Sequence, residues 1–198
     1  MNPRGVQPEA LLAAFDWEVP HCRQVRDLAG QLFDQLAGCH RLGAAERDLL
    51  EAAALLHDIG WTVGHAKHHK HAYRLIRENQ RRLPGFTEAE VELIANIARY
   101  HRKALPALKL EPFAALPAAD REIVGKLAAL LRVADGLDRP HRQQVQQLTC
   151  RVTDTVVTVR LKVRANPEAH RAGGERKSEL FEQVFRRHLV VEAELGDF

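Results

Sequence analysis

Eleven histidines occur among the 198 residues, and five of them, His57, His65, His68, His69 and His71, fall within fifteen positions. Imidazole is the commonest metal ligand and the side chain that changes charge near neutral pH, so such crowding points to metal binding or acid–base work. The crowd opens on His57-Asp58. An adjacent His-Asp pair is a short motif that chance supplies readily, but its position strengthens it. The apolar spacing of Leu49, Leu50, Ala53 and Leu56 predicts a helix from about Ala44 that stops at Gly60. At a helix end two neighbouring side chains can converge on one point, whereas inside a helix they stand about 100° apart. His21, His71, His101 and Asp135 fall on, or at the ends of, other predicted helices. Helical bundles build metal sites from such inward-facing groups. Asp135 lies one turn beyond Leu131 on an apolar helix face, where a carboxylate needs a partner or a metal to offset its desolvation.

The elements that must position these residues follow from periodicity and punctuation. Pro20 suits a helix first turn, and Val25, Leu28, Ala29, Leu32, Phe33 and Leu36 keep helical spacing until Gly38. A third helix is expected near His71–Arg82, ended by Pro84-Gly85. Thr87 and Glu90 have capping-box spacing and open a helix running to His101. After a loop with three prolines, Asp120 is expected to cap a helix reaching about Asp138, before Pro140. From Leu148 the composition turns β-branched. Val157, Val159, Leu161 and Val163 alternate with Thr158, Arg160, Lys162 and Arg164, the pattern of a half-buried strand. Leu148, Cys150 and Val152 read as its hairpin partner with the turn near Asp154-Thr155, Ser178–His188 as one amphipathic helix, and Leu189–Leu195 as a last strand. The fold expected is mainly α. An N-terminal extension covers 1–19, a helical domain 20–147, and a ββαβ lobe 148–198, with an antiparallel sheet and one helix.

Composition excludes several classes. Hydrophobic residues make up 45% and charged ones 28%, which favours a packed domain over disorder. No apolar run approaches the roughly 20 residues of a membrane span, and residues 1–20 lack a signal-peptide pattern. Three scattered cysteines without CxxC suit a reducing compartment, so a soluble cytoplasmic protein is expected. With 29 basic against 26 acidic residues the charge is too balanced to argue nucleic-acid binding.

The order His21…His57-Asp58…Asp135 resembles the metal-binding signature of the HD-domain phosphohydrolase superfamily. The segments ALLHDIGWTVGHAKHHKHAYRLI, LPGFTEAE, IARYHRKALP and LLRVADGLDRPHRQQV resemble, in order, the C-terminal region of the exopolyphosphatase / guanosine-pentaphosphate phosphohydrolase family. That resemblance runs from about His21 to Leu195 and implies an HD-type helical bundle. It implies His21, His57, Asp58 and Asp135 as ligands of one ion, and His71 and His101 as holders of a second with Asp58 bridging. His69 stands in reserve for His71. His65 and His68 read as solvated loop histidines, and Asp138 as a cap or a partner of Arg139. A mixed imidazole–carboxylate set suits one or two ions of Mn, Fe, Ni, Co or Zn better than Mg.

The implied activity is phosphohydrolysis through a metal-activated water, with His57 and Asp58 catalytic. Arg102, Lys103, Arg139 and Arg142 are the candidates for substrate phosphates. The family also carries an N-terminal ATPase-type module, which residues 1–20 are too short to supply. The substrate expected is a phosphate-rich, nucleotide-type small molecule or polyphosphate. The alternative is a non-catalytic polyphosphate- or nucleotide-binding accessory module. A homodimer or a separately encoded partner stays open.

Overall fold

The computed structural model describes residues 3–197. Ten helices precede or interleave a three-stranded sheet among these residues. The stretch read as an extension is itself helical: α1 (Pro3–Phe15) packs on the bundle and buries Leu11 and Leu12. The long α2 (Val19–Gln35), with Pro20 in its first turn, is followed by the single-turn α3 (Ala37–His40). Then come α4 (Ala44–Leu56), a 3-10 turn Ile59–Thr62, and α5 (His68–Glu78) with a 3-10 turn at Gln80–Arg82. α6 (Glu88–Arg99), the one-turn α7 (Glu111–Ala114) and α8 (Ala118–Leu137) complete the bundle. α2 lies against α4 and α8, and its inward stripe of Val25, Leu28, Ala29, Leu32 and Phe33 is buried among them.

Local signals explain most of these boundaries. The Glu90 amide donates to Thr87 Oγ1 at 3.2 Å while the Thr87 amide donates to Glu90 Oε2 at 2.8 Å, a reciprocal cap that starts α6. α5 begins at His68, three residues earlier than the spacing predicts, because His68, Ala72 and Ile76 form one buried i, i+4, i+8 stripe. Asp120 does not cap α8; Pro117 occupies the cap position and Asp120 sits in the first turn. There its carboxylate is placed favourably against the helix dipole.

The C-terminal lobe contains β1 (Val145–Val152), β2 (Val156–Val163), α9 (Pro167–Glu175), α10 (Glu179–Phe185) and β3 (His188–Leu195). β1 and β2 form the expected antiparallel hairpin, but β3 runs parallel to β2, with Val157 opposite Leu189 and Val159 opposite Val191. The sheet is therefore mixed, and two helices rather than one make the β2–β3 connection. A parallel return needs a crossover longer than a hairpin turn, and α9 with α10 provides it. The inner faces of Val157, Val159, Leu161 and Val163 are buried, while Arg160, Lys162 and Arg164 face solvent. The free edge of β1 is occupied by α2: Gln24 Nε2 donates to the Val145 carbonyl and Gln35 Nε2 to that of Leu148, at 2.8 and 3.0 Å.

The lobe docks through α9, which crosses α8 at backbone contact. A Cβ on Gly173 would lie 2.1 Å from the Gly136 carbonyl oxygen, a clash that no side-chain motion relieves. Gly173→Ala is expected to separate the two helices and cost about 2–3 kcal/mol of stability, read as a lower urea midpoint. Gly125→Ala on the same α8, where a Cβ meets only Val184 Cγ2 at 3.9 Å, should be neutral or stabilising.

Candidate metal centre

Five helix ends or end turns converge on one buried volume. His21 comes from the first turn of α2, His57 and Asp58 from the end of α4, His68 from the start of α5, His101 from just past α6, and Asp135 from the last turn of α8. Asp58 has φ −108° and ψ 2°, the bridge conformation that breaks helical spacing and turns its side chain toward its neighbour's. All six residues are at most 9% exposed. They fall into two groups, His21–His57–Asp135 and Asp58–His68–His101, whose ligand atoms lie within 4.8 Å of one another in each. Asp58 faces both. Its Oδ2 is 3.6 Å from His57 Nε2, and its Oδ1 is 3.3 Å from His68 Nε2 and 3.5 Å from His101 Nε2.

The imidazoles are oriented from behind. His57 Nδ1 donates to the Ala54 carbonyl and His101 Nδ1 to the Ala98 carbonyl, each at 2.7 Å. His21 Nδ1 is 2.8 Å from Asp138 Oδ2, and His68 Nδ1 faces the His65 carbonyl at 3.3 Å. A carbonyl can only accept, so the Nδ1 atoms of His57, His68 and His101 hold the protons and each Nε2 lone pair points into the centre. Such outer partners set the tautomer and basicity of metal-ligating histidines. His21 Nε2, His57 Nε2 and Asp58 Oδ1 are fully buried without a hydrogen-bond partner. Buried polar atoms are nearly always satisfied. Three orphans of ligand type meeting in one volume fit a cation.

The electrostatics agree. Burial pulls His57 and His101 below the ordinary imidazole value, so both are neutral at pH 7. Burial also opposes ionisation of Asp58, but His57 and His101 in their protonated forms outweigh it and hold its carboxyl below the usual carboxylate range. Asp135 is likewise kept ionised against its burial, chiefly by the Lys177 ammonium, which donates to Oδ2. His21 differs: burial opposes its charge, yet the Asp135 and Asp138 carboxylates outweigh it and raise its pKa to about 9, so an ion at Nε2 would have to displace a proton.

The geometry rearranges part of the expected residue set. His21, His57, Asp58, His101 and Asp135 are brought together. His71 is not: it lies half-buried on α5, outside both groups, and His68 stands where it was expected. His68 is 1% exposed rather than a solvated loop residue. The stripe it shares with Ala72 and Ile76 is the signal that identifies it in the sequence. Asp138 holds His21 instead of pairing with Arg139. Of the four expected phosphate-binding residues, Arg102 reaches the centre, with Nη1 3.1 Å from His68 Nε2, while Lys103, Arg139 and Arg142 are exposed.

Several contributors carry no sequence signal. Lys177, in the turn between α9 and α10, bonds Asp135 and also the His101 carbonyl at 3.2 Å. Buried Arg132 donates to the Tyr100 carbonyl at 2.9 Å and fixes the same turn. Trp61 stacks on His68 with centroids 4.4 Å apart, and Trp17 stacks on Trp61 at 5.7 Å. His141 lies parallel on His21 at 3.7 Å.

A helical bundle whose helix ends gather buried histidines and aspartates, closed by a small mixed-sheet lobe, is the class of protein that fold and site define. Residues 4–172 match the family described as Ppx/GppA phosphatase, domain III. The chain belongs to that family. A guanosine-5'-triphosphate,3'-diphosphate pyrophosphatase of Aeromonas hydrophila subsp. hydrophila is 32% identical over 134 residues, 67% of this chain and 26% of that protein. The chain thus spans about a quarter of that relative's length. Among the described residues no helix is long and apolar enough to cross a membrane.

Gly60 sets the distance between the His57-Asp58 turn and α5. A Cβ there would lie 2.0 Å from the His68 carbonyl oxygen and 2.5 Å from the Ala72 nitrogen, both backbone atoms. Gly60→Ala should push the start of α5 outward, withdraw His68 from Asp58, and cost about 2–3 kcal/mol. Gly64→Ala, with nothing within 4 Å of its Cβ, is the matched control and should melt like the unsubstituted chain.

Proposed function

We propose that this chain is an HD-type, metal-dependent phosphohydrolase acting on a phosphate-rich, nucleotide-type substrate. The observation that carries the reading is the pair of interleaved groups sharing Asp58, with ligand-type atoms buried and unpartnered at their centre. His21, His57 and Asp135 would hold one ion, and Asp58, His68 and His101 a second. The mixed imidazole and carboxylate donors favour Mn, Fe, Co, Ni or Zn over Mg or Ca. Ions so held would acidify water and neutralise phosphoryl charge.

The chain's own residues supply the rest. Asp58, ionised and facing both groups, keeps them in register. Ala54, Ala98 and Asp138 fix the ring orientations of His57, His101 and His21 through Nδ1. Arg102, half-buried at the rim, offers planar, paired donors that match phosphate oxygens. Membership of the phosphatase family and the relative's pyrophosphatase name support a phosphate-bearing substrate, guanosine pentaphosphate and polyphosphate among them. A second reading, a non-catalytic nucleotide- or polyphosphate-binding accessory, is favoured by one fact: the chain spans 26% of that relative.

Phosphate release by Mn²⁺-loaded protein across nucleotides, guanosine alarmones, dinucleoside polyphosphates and polyphosphate tests the two readings. The enzyme reading expects turnover of one class, abolished by a chelator and reduced more than about a hundredfold in Asp58→Ala with its helical content retained. Silence from demonstrably metal-loaded protein that still binds polyphosphate would move the conclusion to the accessory.

A further inference from the structure

Arg102 is engaged in an unusual way. Its guanidinium has only donors, and Nη1 stands 3.1 Å from His68 Nε2. His68 Nδ1 is turned to the His65 carbonyl, so Nε2 carries the ring's one available lone pair. The same nitrogen lies 3.3 Å from Asp58 Oδ1, an acceptor with no hydrogen bond. Arg102 therefore occupies the atom through which His68 would join Asp58 and His101 around an ion.

Lys177 makes a useful contrast. It bonds Asp135 through Oδ2, leaving Oδ1 directed toward His21 Nε2, 3.6 Å away. A carboxylate has two oxygens and can serve an ammonium and an ion together. A neutral imidazole has one lone pair and cannot. Lys177 and Arg102 thus differ in kind: Lys177 can stay where it is, and Arg102 has to leave.

We propose that Arg102 is an exchangeable counter-ion of the Asp58–His68–His101 group: it competes with a divalent ion for His68 Nε2, and its displacement delivers the guanidinium to the substrate's phosphate. The inference rests on the metal-centre reading above and deepens it by giving the order of events. Once the lone pair is taken by an ion, the guanidinium is left beside a second positive charge, an arrangement relieved when an anion comes between them. A phosphate does this, and a planar guanidinium can grip two of its oxygens. Half-buried Arg102, next to exposed Lys103, sits at the rim where such an anion would enter. Ion binding should therefore precede and strengthen phosphate binding.

Calorimetric titration of Mn²⁺ into the full chain, followed by inorganic phosphate into the loaded protein, tests this on wild type, Arg102→Met and Arg102→Ala. Both variants should bind Mn²⁺ on the order of tenfold more tightly, since a charge-assisted hydrogen bond no longer has to be broken. Both should bind phosphate on the order of tenfold more weakly. Wild type should bind phosphate only after Mn²⁺. If wild type takes up Mn²⁺ and the variants, melting like wild type, bind it no more tightly, the competition is overturned while the metal centre stands. If phosphate affinity is unchanged in the variants, delivery of Arg102 to the phosphate is overturned. A wild-type chain that takes no divalent ion overturns the metal-centre reading itself, and this inference with it.

Discussion

Six ionisable side chains share a volume from which water is almost excluded, and the architecture around them answers that single electrostatic problem. Removing carboxylates from water is costly unless opposite charge and hydrogen bonds replace the lost hydration. Here the replacement is distributed. Asp135 receives an ammonium from the C-terminal lobe, and Asp138 braces His21 from behind. Backbone carbonyls of α4 and α6 take the protons of His57 and His101. What remains unpaired is directed inward and is of ligand type.

Helix ends solve the geometric half of the problem. A side chain in a helix interior is committed to one face, but the last turn of one helix and the first turn of another can meet at a point. The bundle brings five such ends together. Close backbone approach is needed at two places, Gly60 against α5 and Gly136 against Gly173, and both are filled by residues without a Cβ. The first sets where His68 stands. The second seats the lobe that carries Lys177, so the mixed sheet and its two helices help to position the side chains of the centre. Arg132 and Lys177 hold the turn after α6 by its carbonyls, which are the orphan acceptors of a helix C-terminus.

Much of this was legible in the residues. The helical stripes, the Thr87–Glu90 cap and the alternation of β2 are local patterns, and local patterns depend on the chain's own periodicity. The His57-Asp58 pair at a helix end, with His21, His101 and Asp135 on separate helices, located the centre. Placing His71 there instead of His68 came from starting α5 three residues late. His71 stands about 60° around that helix from His68 and is only half-buried, and the stripe with Ala72 and Ile76 marks His68 as the histidine that turns inward. The direction of β3 was not legible, because a strand's side-chain alternation is the same whether its neighbour runs parallel or antiparallel.

The sequence by itself determined the helical class, the hairpin, the family likeness and five of the six residues that meet, since each depends on spacing along the chain or on residue type. Only the tertiary structure decided that Asp58 faces both groups, that Lys177 reaches Asp135 from 42 positions away, and that Arg102 lies on His68. These are contacts between elements, fixed by how helices cross and how closely their backbones approach. A lysine or arginine that will meet a buried acceptor has the same residue type as one that will face water. Packing alone tells them apart.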